Sequence, residues 1–238
     1  MSIIKHIISI ISAACLCSCA ADHTLHYSNV TMGDFVDGTF VSDQGQIYDI
    51  VYTTLPVDTD TLKRAIISCD IITRTEDDRY DVRLTDFEPV FTKEPVDSTA
   101  VTDNEVFADD ALNIDEVWYS AGYLNLHIFI PVKEGSRQAH MINLVRNDEN
   151  AADGIYEFSF RHNAYGEVIT SSDKDFTTSS RYVSFPLSQL FKDGEQKLQV
   201  IFRWTSYEEL NGKLSAKTKK NITTLEIERG GYEHKPLK

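Results

Sequence analysis

From Gly33 onward, short runs of β-branched and aromatic residues recur between Gly, Asp, Asn and Pro, and no window keeps a helical period for three turns. The pattern predicts an all-β chain. Thr39-Phe40-Val41 and the run over 47–52 flank Asp43-Gln44-Gly45-Gln46, whose glycine takes positive φ without steric cost, so these runs predict a hairpin. Runs over 62–73 and 80–91 add two strands around the charged turn at 75–79, and Pro89 confines its run to an edge or a strand end.

The pattern weakens between Lys93 and Asp110, where Pro95 and the acids Glu94, Asp97, Asp103, Glu105, Asp109 and Asp110 replace large apolar residues. Residues 95–110 are therefore expected to form an acidic linker between a β domain over 33–94 and a second over 111–238. In the second half, strands are expected at 113–118, 123–130, 139–145, 155–161, 182–185, 197–204 and 223–227, the spacing of a β-sandwich, with one helical turn at 187–191.

The N-terminus has a different character. A short basic leader over 1–5 precedes an apolar run over 7–16, the length of a signal-peptide core and too short to span a bilayer. Leu16-Cys17-Ser18-Cys19 resembles a bacterial lipobox, and Cys19 is the residue expected to carry diacylglycerol. Cys15 and Cys17 have Ser12 and Ala14 where the lipobox needs the aliphatic residue that Leu16 supplies to Cys19. An ordinary secretory signal is the alternative. Residues 1–18 are thus read as signal peptide and 19–32 as a polar, lipidated tether that does not pack. Two or three acyl chains, at about 0.8 kcal/mol per buried CH₂, make such attachment stable. Cleavage before Cys19 leaves Cys69 as the one other cysteine, so no intrachain disulfide forms, and Cys69 in its apolar run is expected to be a core residue.

Charge narrows the partners. The 238 residues carry 23 basic and 37 acidic side chains, a formal charge of −14, which sets self-repulsion against any nucleic-acid backbone. Residues 20–100 hold 6 basic and 16 acidic groups, so the first half is the more acidic.

Several segments together resemble a known family. Gly38-Thr39-Phe40, Tyr48 with Ile50, the strand from Arg64, and Tyr80-Asp81-Val82 leading to Pro89 are similar to the N-terminal OB-like half of NigD-like lipoproteins of the Bacteroidota. Ile114 to Trp118, Gly122-Tyr123-Leu124-Asn125-Leu126, Phe158 with Arg161-His162-Asn163, and Ser184-Phe185-Pro186-Leu187 resemble that family's C-terminal β-sandwich. The resemblance implies a small OB-like barrel followed by a sandwich, held at the cell envelope and in particular at the outer membrane. The family name, taken from a bacteriocin gene cluster, hints at immunity and brings no catalytic motif.

The residues themselves carry little chemistry. The chain lacks His-Glu-x-x-His, Cys-x-x-Cys, Gly-x-Ser-x-Gly and the phosphate-cradling Gly-x-x-x-x-Gly-Lys, and no metal, cofactor or catalytic residue is assigned. Asp148-Glu149-Asn150-Ala151-Ala152-Asp153-Gly154 approaches a calcium loop but slips by one position, and Ser159 stands where a bidentate Glu belongs, so it reads as an acidic hairpin loop. Glu76-Asp77-Asp78 and Glu208-Glu209 read as solvated turns, and His162 as a structural histidine near a strand end. One surface is of interest. Period two along 123–130 sends Leu124, Leu126, Ile128 and Ile130 to the core and Tyr123, Asn125, His127 and Phe129 to the other face. That second face mixes aromatic rings with polar handles, as ligand sites do, or else packs against the other domain. The expectation is a membrane-anchored, non-catalytic binding or scaffolding module with a protein, peptide or glycan ligand. Its alternatives are an immunity-type lipoprotein capturing a cationic peptide and an envelope hydrolase acting on glycan or peptide.

Overall fold

The computed structural model describes residues 28–58, 61–100, 102, 104–147, 154–170, 176–210, 213–231 and 233–236. Residues 1–27, with the expected signal segment and Cys19, and residues 148–153, expected in an acidic hairpin loop, lie outside the described residues.

The first half is a closed barrel. Strands β1 (Ser28–Val36), β2 (Thr39–Ser42), β3 (Ile47–Thr53), β4 (Arg64–Glu76) and β5 (Arg79–Pro89) follow each other round it in the order β1-β2-β3-β5-β4. The hairpin expected from Gly45 is β2–β3, which pairs Phe40 with Tyr48, and β1 closes the ring against β4. Closure removes the unpaired edges a small sheet would otherwise expose. Phe35, Phe40, Tyr48, Ala65, Ile67, Cys69, Val82 and Leu84 fill the interior. Burial, with Asp70 adjacent, pushes the Cys69 thiol up to about 11, which keeps it a protonated core residue. Gly33 is paired to β2 and β4 at once, and a Cβ there would lie 2.1 Å from the Val41 carbonyl oxygen.

The barrel begins earlier than the alternation suggests. Residues 28–32, expected in the tether, form the first part of β1 and pair antiparallel with β4, from Ser28 opposite Asp70 to Met32 opposite Ile66. The segment is polar because its stability comes from backbone pairing and from Asn29, whose Nδ2 donates to Tyr48 Oη at 2.6 Å, rather than from apolar burial.

The second half is a sandwich of two five-stranded sheets. Its strands are β6 (Phe91–Thr92), β7 (Val96–Asp97), β8 (Asn113–Ser120), β9 (Tyr123–Lys133), β10 (Met141–Asn147), β11 (Ile155–Asn163), β12 (Phe176–Pro186), β13 (Lys197–Leu210), β14 (Lys213–Glu228) and β15 (Glu233–Pro236). They are ordered β14-β13-β11-β10-β7 and β15-β8-β9-β12-β6. Leu124, Leu126, Ile128, Phe158, Phe160, Phe185, Phe202, Leu225 and Ile227 meet between the sheets. The helical turn expected after β12 is a 3-10 turn over Ser188–Leu190.

The region 95–110 is not a free linker. Val96 and Asp97 extend one sheet by pairing with β10, and the short helix α1 (Asn104–Phe107) packs on β10 and β11. Phe91 and Thr92 already pair with β12, so the chain enters the sandwich as soon as it leaves Pro89. The acids that made this stretch look solvated are held by structure: the Ala164 N–H donates to Asp110 at 2.8 Å, and Thr205 Oγ1 donates to Asp109 at 2.9 Å. Glu208 and Glu209 also differ from expectation, since they are exposed in β13 rather than in a turn.

Candidate functional site

Period two along β9 holds: Leu124, Leu126 and Ile128 are fully buried, and Ile130 packs at the core margin. The opposite face, Tyr123, Asn125, His127 and Phe129, divides into two unlike halves.

Its first half is taken up by the barrel. Arg64 opens β4 where barrel meets sandwich and is only 2% exposed. All five of its N–H donors are used. Nε donates to Ser184 Oγ at 3.0 Å, Nη1 to Asp34 at 3.0 Å and Asp43 at 2.9 Å, and Nη2 to Asp43 at 2.7 Å and Asn125 Oδ1 at 3.0 Å. Asn125 is equally engaged, accepting from Ser184 Oγ at 2.6 Å and donating to Ser120 Oγ at 2.9 Å, while Ser120 Oγ donates to Asp43. The Tyr123 ring lies over the guanidinium, 4.1 Å from centroid to Cζ. Burial disfavours the Arg64 charge, but Asp43 and Asp34 outweigh it and raise its pKa. The same burial raises the pKa of Asp34, with Arg64 opposing. Tyr123 and Asn125 are therefore a domain junction, the packing alternative that the strand pattern left open.

The second half lies on the outer face of its sheet, where Phe129 and the neighbouring Tyr182 are partly buried, the His127 side chain is 15% exposed and Trp118 is buried at 8%. His127 stacks on Tyr182 of β12 at 4.4 Å and 11°, and Phe129 lies 4.6 Å from His127. Trp118 of β8 meets Tyr182 edge-on at 6.4 Å. These rings come from three neighbouring strands, because β9 pairs His127 with Tyr182 on one side and Glu116 on the other. None of the four belongs to the core between the sheets. Ser180 and Asp115 hold the imidazole, at 2.7 Å from Nε2 and 3.5 Å from Nδ1. Burial, then the charges of Glu88, Glu116 and Asp115, raises the pKa of the Tyr182 phenol. The result is an aromatic ladder with an acidic rim. The sequence reading does not single out Trp118 or Tyr182; period two along 182–185, with Val183 and Phe185 buried, is the signal that sets Tyr182 outward.

A histidine pair lies elsewhere, under α1. His162 is 2% exposed; its Nδ1 donates to the Asp110 carbonyl at 3.2 Å and its Nε2 meets His140 Nδ1 at 3.0 Å. His140 Nε2 faces Glu167 at 3.4 Å, and Glu167 also accepts from Ser136 Oγ. Desolvation, then His140, holds His162 down at about 4, so it is neutral and structural, as its place in the strand suggested. Among the described residues no group of three or more His, Cys, Asp or Glu side chains is placed to hold a metal ion.

A closed five-stranded barrel followed by a ten-stranded sandwich, joined through one buried arginine, defines a class of two-domain β protein. Residues 93–218 match the family model of the NigD-like C-terminal beta sandwich domain, and the chain belongs to the NigD-like family. A candidate toxin-related protein of Parabacteroides distasonis is similar at 20% identity, with 85% of this chain and 94% of that one covered and a TM-score of 0.64. A NigD-like immunity protein of Bacteroides caccae superposes at 16% identity and TM-score 0.58, covering 82% of this chain and 89% of its own. A candidate lipoprotein of Bacteroides fragilis does so at 15% identity and TM-score 0.58, covering 85% and 98%. At these identities the likeness is one of fold. No curated protein matches the chain.

Proposed function

We propose that this protein is a lipid-anchored, non-catalytic binding module of the cell envelope that captures cationic peptides, an immunity-type role. The observation that carries this reading is the partly exposed row of Tyr182, His127 and Phe129, backed by the buried Trp118, with Glu88, Glu116 and Asp115 about it. Aromatic faces attract Lys and Arg side chains, and the acids supply the complementary charge. A net charge of −14 speeds the encounter of a cationic ligand. Support for the role comes from the fold shared with the immunity protein of Bacteroides caccae, and for the envelope from the lipobox at Cys19 and the fold shared with the candidate lipoprotein of Bacteroides fragilis. The most enzyme-like grouping, His140 with Glu167, has an imidazole only 3% exposed, which favours a structural role over turnover.

The test is calorimetric titration of the chain with a short peptide of alternating Lys and Leu. Tyr182→Ala and Phe129→Ala should each weaken binding about tenfold, the effect of losing one cation–π contact. Their melting temperatures should move little. Equal affinity for a Glu-Leu analogue, or no effect of either substitution, overturns the reading. Anchoring is tested separately by fatty-acid labelling in cells, which Cys19→Ala should abolish.

A further inference from the structure

The sandwich has one long sheet edge. In the sheet ordered β15-β8-β9-β12-β6, the edges are strands of four and two residues, and in the other sheet β7 at one edge has two. The fourth edge is β14, sixteen residues long and paired, among the described residues, with β13 alone. Edges of this length attract other strands unless something discourages them.

The first part of β14 is chemically distinct. Residues 213–222 contain Lys213, Lys217, Lys219 and Lys220 and no acid, within a chain of net charge −14. Lys217, Lys219 and Lys220 are exposed, and Ile222 is 56% exposed beside them. Inward positions of β14 in the sandwich are Thr223, Leu225 and Ile227, so Lys219 continues that face while Lys220, 3.5 Å from Asp109, and Ile222 lie on the other, and Lys217 falls where the register with β13 shifts. An incoming strand therefore meets the exposed Lys219 on one face and Lys220, shared with Asp109, on the other. The backbone here is served by local substitutes. The Lys217 N–H donates to Ser215 Oγ at 3.2 Å, and the Lys219 carbonyl accepts from Asn221 Nδ2 at 3.3 Å, each two residues away.

We propose that residues 213–222 of β14 are a docking edge for an extended acidic polypeptide segment of another protein, which adds to the sheet as a further strand. Backbone pairing supplies affinity and the lysines select the partner. The same lysines repel a second copy of β14, so the edge discriminates against self-pairing. This surface belongs to the opposite sheet from the aromatic ladder and does not depend on it.

The experiment is fluorescence anisotropy of the full-length chain in detergent, with a labelled peptide of alternating Glu and Val as probe. Binding is expected, weakening steeply with salt and falling at least tenfold in Lys217→Glu/Lys219→Glu. Both lysines are exposed, so the variant should keep the parental melting temperature, which separates lost docking from lost folding. An alternating Glu-Pro peptide has the same charge and cannot donate at every second residue, so it should bind at least tenfold more weakly. Equal binding of the Glu-Pro peptide would reduce the effect to charge attraction and overturn strand addition. No binding of the Glu-Val peptide, unchanged binding by the double variant, or a self-association that the double variant abolishes would overturn the proposal as well.

Discussion

Arg64 ties the barrel to the sandwich with all five of its N–H donors. Its charge is stripped of water, and what offsets that cost is complete use of its donors by Asp34, Asp43, Ser184 and Asn125. Removing it leaves the Asp43 side chain, 7% exposed, without its counter-ion. Arg64→Ala is expected to destabilise the protein by about 3–5 kcal/mol in urea unfolding. Arg64→Lys should recover only part of this, because an ammonium cannot serve a five-donor fork. His162 gives a pH dependence of definite sign. Buried and beside His140, it stays neutral down to about 4 in the folded protein against an ordinary 6.5. The unfolded chain binds the proton first, so stability is present above about 6.5 and is lost as pH falls toward 4. The loss amounts to about 3 kcal/mol. Urea midpoints measured at pH 7 and pH 4 should show it, and His162→Gln should flatten the slope in that window.

Strand geometry explains which elements were legible. Where side chains alternate between core and solvent, as in β9, the pattern located the strand and its buried face, because burial is what selects apolar residues at every second position. The short strands β6, β7 and β15 carry no such signal, since two to four residues joined mainly through backbone need no particular side chains. The first turns of β1 are hidden for the same reason. At Gly33 the constraint is steric: with β2 and β4 both paired there, the Val41 carbonyl occupies the space a methyl would need. Gly33→Ala should cost about 3 kcal/mol by forcing β1 and β2 apart. Loss of slow hydrogen exchange across both strands would report the separation.

At the scale of the whole molecule, the barrel and the sandwich are coupled. Val90 N donates to Arg64 O and Lys93 N to Ser184 O within four residues of chain, beside the side-chain network of Arg64. The intact protein is therefore expected to melt in a single calorimetric transition. Arg64→Ala should separate it into two, with the barrel first because its core is the smaller. A single transition in the variant would place the coupling elsewhere.

The amino-acid sequence by itself determined the all-β architecture, the inner face of β9, the core position of Cys69 and the acidity of the chain. These are properties of spacing and composition, which neighbouring residues settle. The fate of Tyr123, Asn125, His127 and Phe129 was decided by the tertiary structure. Period two places all four on one side of β9 and is silent on what lies opposite. Arg64, separated from Asn125 by 61 positions, covers the first pair, while Tyr182 on β12 completes a surface with the second. Such long-range partners leave no local trace, because their geometry exists only once barrel and sandwich are closed.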